Sequence, residues 1–198
     1  MQKLSIIIPA LNESAHIQDT LRDLAPARQA GHEIIVVDGG SSDSTISLSA
    51  EFADQVISSP KGRALQMNAG AKAASGDVLW FLHADTRVSQ EVLESIQGAL
   101  DGGVLWGRFN VRLSGSQRML RAIERMMNLR SCITGIATGD QGIFVKSKIF
   151  MDLGGYQEIA LMEDVALSKA LKKIARPACI RKPLVTSSRK WEQQGVFR

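Results

Sequence analysis

The chain has 198 residues, of which 44% are hydrophobic and 22% charged, the balance of an ordinary globular protein long enough for one large core. A net charge of +4 is too mild to choose among an anionic small molecule, nucleic acid and an anionic membrane surface. No apolar run approaches transmembrane length, and the start of the chain enters a strand too soon to read as a signal peptide. Cys132 and Cys179 lack metal-site spacing and predict buried, reduced thiols in a cytoplasmic protein.

Leu4 to Ile8, closed by Pro9, predicts a buried first strand. Asn12-Glu13-Ser14 offers capping chemistry for a helix to about Ala25, with Ile17, Leu21 and Leu24 on one face. A second strand is expected at Ile34 to Val37, ending in Asp38-Gly39-Gly40. Ser41-Ser42-Asp43 then caps a helix from about Ser44 to Ala53. A brief strand at Val56-Ile57, a helix from Gly62 to Ala74 and a strand from Val78 to Leu82 follow. Such alternation is the pattern of a parallel sheet with helices on both faces. The second half is less regular: a helix from Ser89 to Leu100, a strand from Val104 to Leu113, a helix from Gln117 to Leu129, a short strand from Gly142 to Val145, a helix from Glu163 to Ala175, and a basic tail. No linker interrupts it, so one domain of two lobes is expected over residues 1–198.

In open α/β sheets ligands sit beyond the carboxyl ends of the strands. Here those ends carry Pro9 with Asn12-Glu13, then Asp38, the approach to Arg63, and finally His83-Ala84-Asp85. A carboxylate such as Asp38 can accept from a base N–H or a ribose hydroxyl, Gly39 and Gly40 allow close backbone approach, Arg63 can pair with phosphate, and Asp85 can hold a divalent cation against a diphosphate. Plainer readings stand beside these: Asp38 as a turn residue, Arg63 as a solvated helix residue, Asp43 and Asp85 as helix caps. G-x-G-x-x-G and G-x-x-x-x-G-K-[ST] do not occur, which argues against a dehydrogenase or a P-loop enzyme. Glu163 and Asp164 open a helix whose apolar stripe is Leu167, Leu171 and Ile174. The helix dipole alone favours acidic residues there, and a carboxylate facing the cleft can also act as a general base.

Ser5-Ile6-Ile7-Ile8-Pro9-Ala10-Leu11-Asn12-Glu13, Val36-Val37-Asp38-Gly39-Gly40-Ser41-Ser42-Asp43 and Phe81-Leu82-His83-Ala84-Asp85-Thr86 resemble the family 2 glycosyltransferases of GT-A fold. Gly62-Arg63-Ala64, Gln66-Met67-Asn68-Ala69-Gly70, Gly139-Asp140-Gln141-Gly142, Gly154-Gly155-Tyr156, Met162-Glu163-Asp164 and Ser188-Arg189-Lys190-Trp191 look like a small bacterial subgroup, the transferase 2 proteins of radical-SAM/selenodomain-associated type. The resemblance implies an α/β, Rossmann-like GT-A fold with a mixed, mostly parallel sheet flanked by helices. It divides the chain into a nucleotide-binding half, about 1–100, and an acceptor and catalytic half, about 101–198. It also implies a nucleotide-diphospho-sugar donor, a UDP-sugar being favoured, bound around Pro9, Asn12, Glu13, Asp38, Gly39, Gly40, Arg63, His83, Ala84 and Asp85. Asp38 would contact the base. Asp85 would be the metal-binding end of a D-x-D motif in which His83 stands for the first acid. Asp164, with Glu163 beside it, would be the base of an E-D motif. Arg189 and Trp191 would cover the diphosphate or stack on a sugar. The implied reaction is a single displacement with inversion, aided by Mn²⁺ or Mg²⁺; an imidazole ligand suits Mn²⁺ better.

The resemblance leaves the acceptor open among small molecules, lipids and glycans, and nucleic acid is not an expected partner. Similar chains continue past the Arg-Lys-Trp segment, where an acceptor-side or membrane-docking element would lie. A nucleotidyl- or phosphoryl-transferase and a non-catalytic nucleotide-sugar-binding protein remain alternative readings. Over Gln117 to Leu129, Arg118, Arg121 and Arg125 gather on one face, with Met119, Ile123, Met126 and Met127 opposite. The main expectation is a core-packed helix with a solvated basic face; the second is peripheral contact with the inner face of a membrane.

Overall fold

A computed structural model describes residues 2–188, so Arg189 and Trp191 lie outside the described residues. The chain forms β1 (Leu4–Ala10), α1 (Ile17–Asp23), α2 (Ala25–Gln29), β2 (Glu33–Asp38), α3 (Thr45–Ala50), β3 (Gln55–Ser58), α4 (Arg63–Ala73) and β4 (Val78–Phe81). It continues through α5 (Gln90–Asp101), β5 (Trp106–Leu113), α6 (Arg118–Thr134), a 3₁₀ turn at Gly139–Gln141, β6 (Phe144–Lys146), α7 (Ser147–Asp152), α8 (Glu163–Lys172) and β7 (Ala178–Thr186). The strands make one sheet in the order β3-β2-β1-β4-β6-β5-β7. Its pairings are parallel except those of β6 with β4 and with β5, so a mixed, mostly parallel sheet results.

The apolar runs become strands covered on both faces, and the two-residue period of a strand sends alternate side chains to opposite layers. Ile6, Ile8, Ile34, Val36 and Trp80 join Ile17, Leu21, Val92 and Ile96 in one layer. Ile7, Ile35, Val37, Leu79 and Phe81 join Ala64, Met67, Phe150, Leu167 and Leu171 in the other. Pro9 is tolerated in a central strand because pairing of β1 with β4 stops at Ile7↔Phe81, so the missing N–H faces no ladder there.

Several expectations need correction. The first helix starts at Ile17 and carries no side-chain cap, because Asn12 and Glu13 are drawn to the loop after β2 instead. Asn12 donates its N–H to the Ser41 hydroxyl and accepts from the Ser42 N–H, while the Glu13 N–H donates to the Thr45 hydroxyl. Ser89 holds the N-cap position of α5, without a side-chain hydrogen bond, so Asp85 is not the cap of that helix. The expected basic tail contains β7, an edge strand paired in parallel with β5; Lys182 pairs with Glu91 at this edge. Its charges obscured a strand whose side chains are largely solvated. Ile174 lies beyond the end of α8 and is 49% exposed. Cys132 is exposed and Cys179 half-buried, not a buried pair of thiols.

The faces of α6 also differ from the expectation. β6 pairs only with Trp106 and Gly107 of β5, and α6 lays polar side chains along the rest of that edge. Asn128 accepts from the Val111 N–H at 2.8 Å and donates to the Val111 carbonyl at 3.0 Å. Glu124 accepts from the Leu113 N–H, and Arg121 donates to the carbonyls of Leu113 and Gly115. Buried backbone groups need such partners, and here a helix supplies what a strand would. Arg121 therefore points inward while Met126 points to solvent. No helix among the described residues is long and apolar enough to cross a membrane.

Candidate active site

β2, β1 and β4 are neighbours and end at one edge of the sheet, so their following loops meet there. Asp38 closes β2 and is 2% exposed. Its Oδ2 accepts from the N–H groups of Gly40 and Ser41 at 2.8 and 3.0 Å. Its Oδ1 is buried with no hydrogen-bond partner, an arrangement that is costly for a carboxylate oxygen unless a ligand donor completes it. Asp38 thus serves the turn with one oxygen and leaves the other for a donor. Gly40 has φ +94°, a conformation that favours glycine. Gly39 lies against the Gln66 side chain, whose Nε2 donates to the carbonyls of Ala10 and Val37 at 2.9 Å each, tying the ends of β1 and β2 together.

The turn after β4 is anchored on several sides. The Thr20 hydroxyl donates to the Ala84 carbonyl at 2.8 Å. Arg87 forms a fork on Asp23, at 2.6 and 2.9 Å, and its backbone bridges to Val185. Asp85 opens onto a depression lined by His16, Thr20, Ser114, Thr186 and Ser187.

Residues from the second half reach the same edge. Glu163 and Asp164 begin α8 and are 5% and 9% exposed. Asp164 Oδ2 accepts from the Gly139 N–H at 2.6 Å, and Oδ1 from the Val165 N–H at 2.7 Å. A Cβ on Gly139 would stand 2.8 Å from His83 Nε2 and 3.7 Å from Asp164 Oδ2, so His83 and Asp164 converge on this glycine. Arg63, at the start of α4, approaches Glu163 Oε1 at 3.7 Å. Tyr156 is buried behind the cluster, edge-on to Phe81. Burial pushes its hydroxyl well above the ordinary value; the carboxylates of Asp164 and Glu163 push the same way and Arg63 opposes them. Among the described residues, Asn12 and Met162 are the non-glycine positions with positive φ, +54° and +68°, and both flank the site. Strained backbone of this kind concentrates at functional sites.

The structure therefore brings Arg63, Glu163, Asp164 and His83 together, with Asp38, Asn12, Glu13 and Pro9 on the neighbouring strand ends. Gly139, Gln66 and Tyr156 stand in the sequence only as parts of motifs. Their work is done through a backbone N–H, a bridging amide and a packed ring, and residue type alone signals none of these. No group of three or more His, Cys, Asp or Glu able to hold a metal is found among the described residues.

The glycosyl transferase family 2 model matches residues 5–151. An uncharacterised glycosyltransferase of Mycobacterium tuberculosis is 31% identical over 90% of this chain and 72% of its own length. Staphylococcus aureus TarS superposes with a TM-score of 0.75 at 18% identity, over 97% of this chain but 62% of the TarS chain. TarS has also been solved with UDP-GlcNAc. Glucosyl-3-phosphoglycerate synthase of Mycobacterium tuberculosis, solved with Mn²⁺, UDP and glucosyl-3-phosphoglycerate, gives 0.70 at 20% identity over 93% of this chain and 71% of that one. These structures share the GT-A fold, and the family model together with the 31%-identical relative shows that the chain belongs to glycosyl transferase family 2.

Proposed function

We propose that the protein transfers a sugar from a nucleotide-diphospho-sugar, a UDP-sugar being favoured, to a hydroxyl acceptor, with inversion and with the help of a divalent cation. The observation that carries this reading is the convergence of Asp164, Glu163, His83 and Arg63 at the edge where β4 ends. Asp38 Oδ1 would accept from the base, with Gly39 and Gly40 allowing close approach and Asn12 and Glu13 shaping the adjoining loop. Asp85, with His83, would hold Mn²⁺ or Mg²⁺. Two side chains are a small ligand set, and hard oxygens of the diphosphate would complete it. When bound, the cation would neutralise charge on the departing nucleoside diphosphate.

Asp164 would take the proton of the attacking hydroxyl, because it is held by two backbone N–H groups at the start of a helix and lies beside the metal-side histidine. Arg63 would steady the diphosphate, with Glu163 keeping it aimed across the cleft. Solved structures of this fold bound to UDP-GlcNAc and to GDP-Man support a nucleotide-sugar donor. The test is product analysis over a panel of UDP- and GDP-sugars with Mn²⁺ or Mg²⁺ and candidate acceptors. A transferred sugar with released nucleoside diphosphate is expected. Released pyrophosphate or a transferred phosphate would assign a nucleotidyl- or phosphoryl-transferase instead.

A further inference from the structure

Since α6 spends Arg121, Glu124 and Asn128 on the edge of β5, four of its large apolar residues are left on the opposite side. Met126 is 68% exposed, Leu129 63%, Ile133 75% and Met119 44%. At about 100° per residue these four lie within an arc of roughly 80°. Arg118 and Arg125 run along one border of the stripe and Arg130 along the other, all exposed and none in an ion pair among the described residues. The inward side, Leu120, Ile123 and Met127 against Leu113, is a small separate core, so among the described residues the outer stripe is surplus to packing.

Charge decides what this face fits. A second copy related by a two-fold axis would bring the arginine borders of both molecules together, and like charges in contact oppose association. An anionic bilayer instead takes an apolar stripe into the boundary of its acyl chains while flanking guanidinium groups reach the phosphates. We propose that the outward face of α6 docks the protein on an anionic lipid surface, lying in the interface without crossing it. Met126, Leu129 and Ile133 are the inserted side chains, and Arg118, Arg125 and Arg130 bind the headgroups. Four residues, Gly135 to Thr138, separate this helix from Gly139, whose N–H holds Asp164. Lys172 of α8 donates to the Thr134 carbonyl at 2.7 Å, so the docking helix is also fastened to the helix that carries Asp164. Docking of this kind does not depend on the transfer reaction.

Co-sedimentation of the full chain with vesicles of phosphatidylglycerol and phosphatidylcholine, against phosphatidylcholine alone, tests it. Binding to the anionic vesicles is expected at low salt and should weaken as salt rises. Arg118→Glu/Arg125→Glu/Arg130→Glu should lose at least about a hundredfold in affinity. Leu129→Gln/Ile133→Gln should lose about tenfold or more. Both variants should melt like the parent, because all five side chains are exposed. Absence of binding by the parent chain, or binding that survives both variants, overturns the proposal. A concentration-dependent dimer that Leu129→Gln/Ile133→Gln disperses, without vesicle binding, would assign the face to a second copy and overturn it equally.

Discussion

Asp38→Asn separates the structural and ligand-binding parts of one carboxylate. In the native chain Oδ2 holds the loop through Gly40 and Ser41, while the buried Oδ1 has no partner. Asparagine can keep its carbonyl oxygen on the two N–H groups and place its amide nitrogen where Oδ1 stood. The loop bonds then persist but lose their charge assistance, a cost of about 1–2 kcal/mol in stability. At the other oxygen an acceptor becomes a donor and faces the N–H that the base is proposed to present. The lost bond to a charged acceptor is worth about 1.5–3 kcal/mol, or roughly ten- to a hundredfold in nucleotide affinity, before any repulsion between donors. Titration calorimetry with UDP, beside thermal melts, reads both effects. Asp38→Ala, which removes the loop bonds too, should melt lower than Asp38→Asn yet bind no more weakly. Unchanged UDP affinity in Asp38→Asn would refute the reasoning and leave Asp38 as a turn residue alone.

Asp164→Asn should leave UDP-sugar binding nearly intact and cut sugar transfer by roughly 10²–10⁴-fold; near-normal transfer, measured as released UDP, would remove it from the mechanism and direct attention to Glu163→Gln. Mn²⁺ should bind weakly alone and more tightly with UDP, since no cluster of three ligating side chains is present among the described residues; calorimetry showing equal affinity in both cases, or no loss in Asp85→Ala, would contradict the role given to Asp85. Glu33, at the opposite end of β2, should act on stability alone. Burial would raise its carboxyl, but hydrogen bonds from Ser5 and Ser75, with Lys3 nearby, outweigh this and hold it below its ordinary value. A lowered folded-state value stabilises above the unfolded one, and that stability is lost as pH falls through the folded value. Urea unfolding between pH 7 and 3 should show this loss in the parent chain and a shallower acid slope in Glu33→Gln, which should also be about 1.5–3 kcal/mol less stable at pH 7; equal slopes would exclude the linkage.

The parallel half of the fold was legible because burial on both faces leaves a direct mark on sequence: Ile6-Ile7-Ile8, Ile34 to Val37 and Val78 to Phe81 are continuous apolar runs closed by polar ends. The same marks pointed to Asp38 and Asp85 as candidates, since the end of such a run lies at the sheet edge where the following loops gather. β7 was missed because an edge strand half in water carries Arg181, Lys182 and Pro183, and reads as a tail. The division of α6 into faces was misread for a related reason. Periodicity shows which residues share a side, but not that a short β6 leaves part of β5 unpaired and makes polar groups the ones wanted inside. What the sequence determined by itself was thus the alternation of buried strands and helices, and the order in which carboxylates appear at their ends. That Asp164, His83 and Gly139 should meet, and that one oxygen of Asp38 should be occupied and the other not, was decided only by tertiary structure. Contacts between residues so far apart in the chain depend on strand order and crossover, and these leave no local pattern.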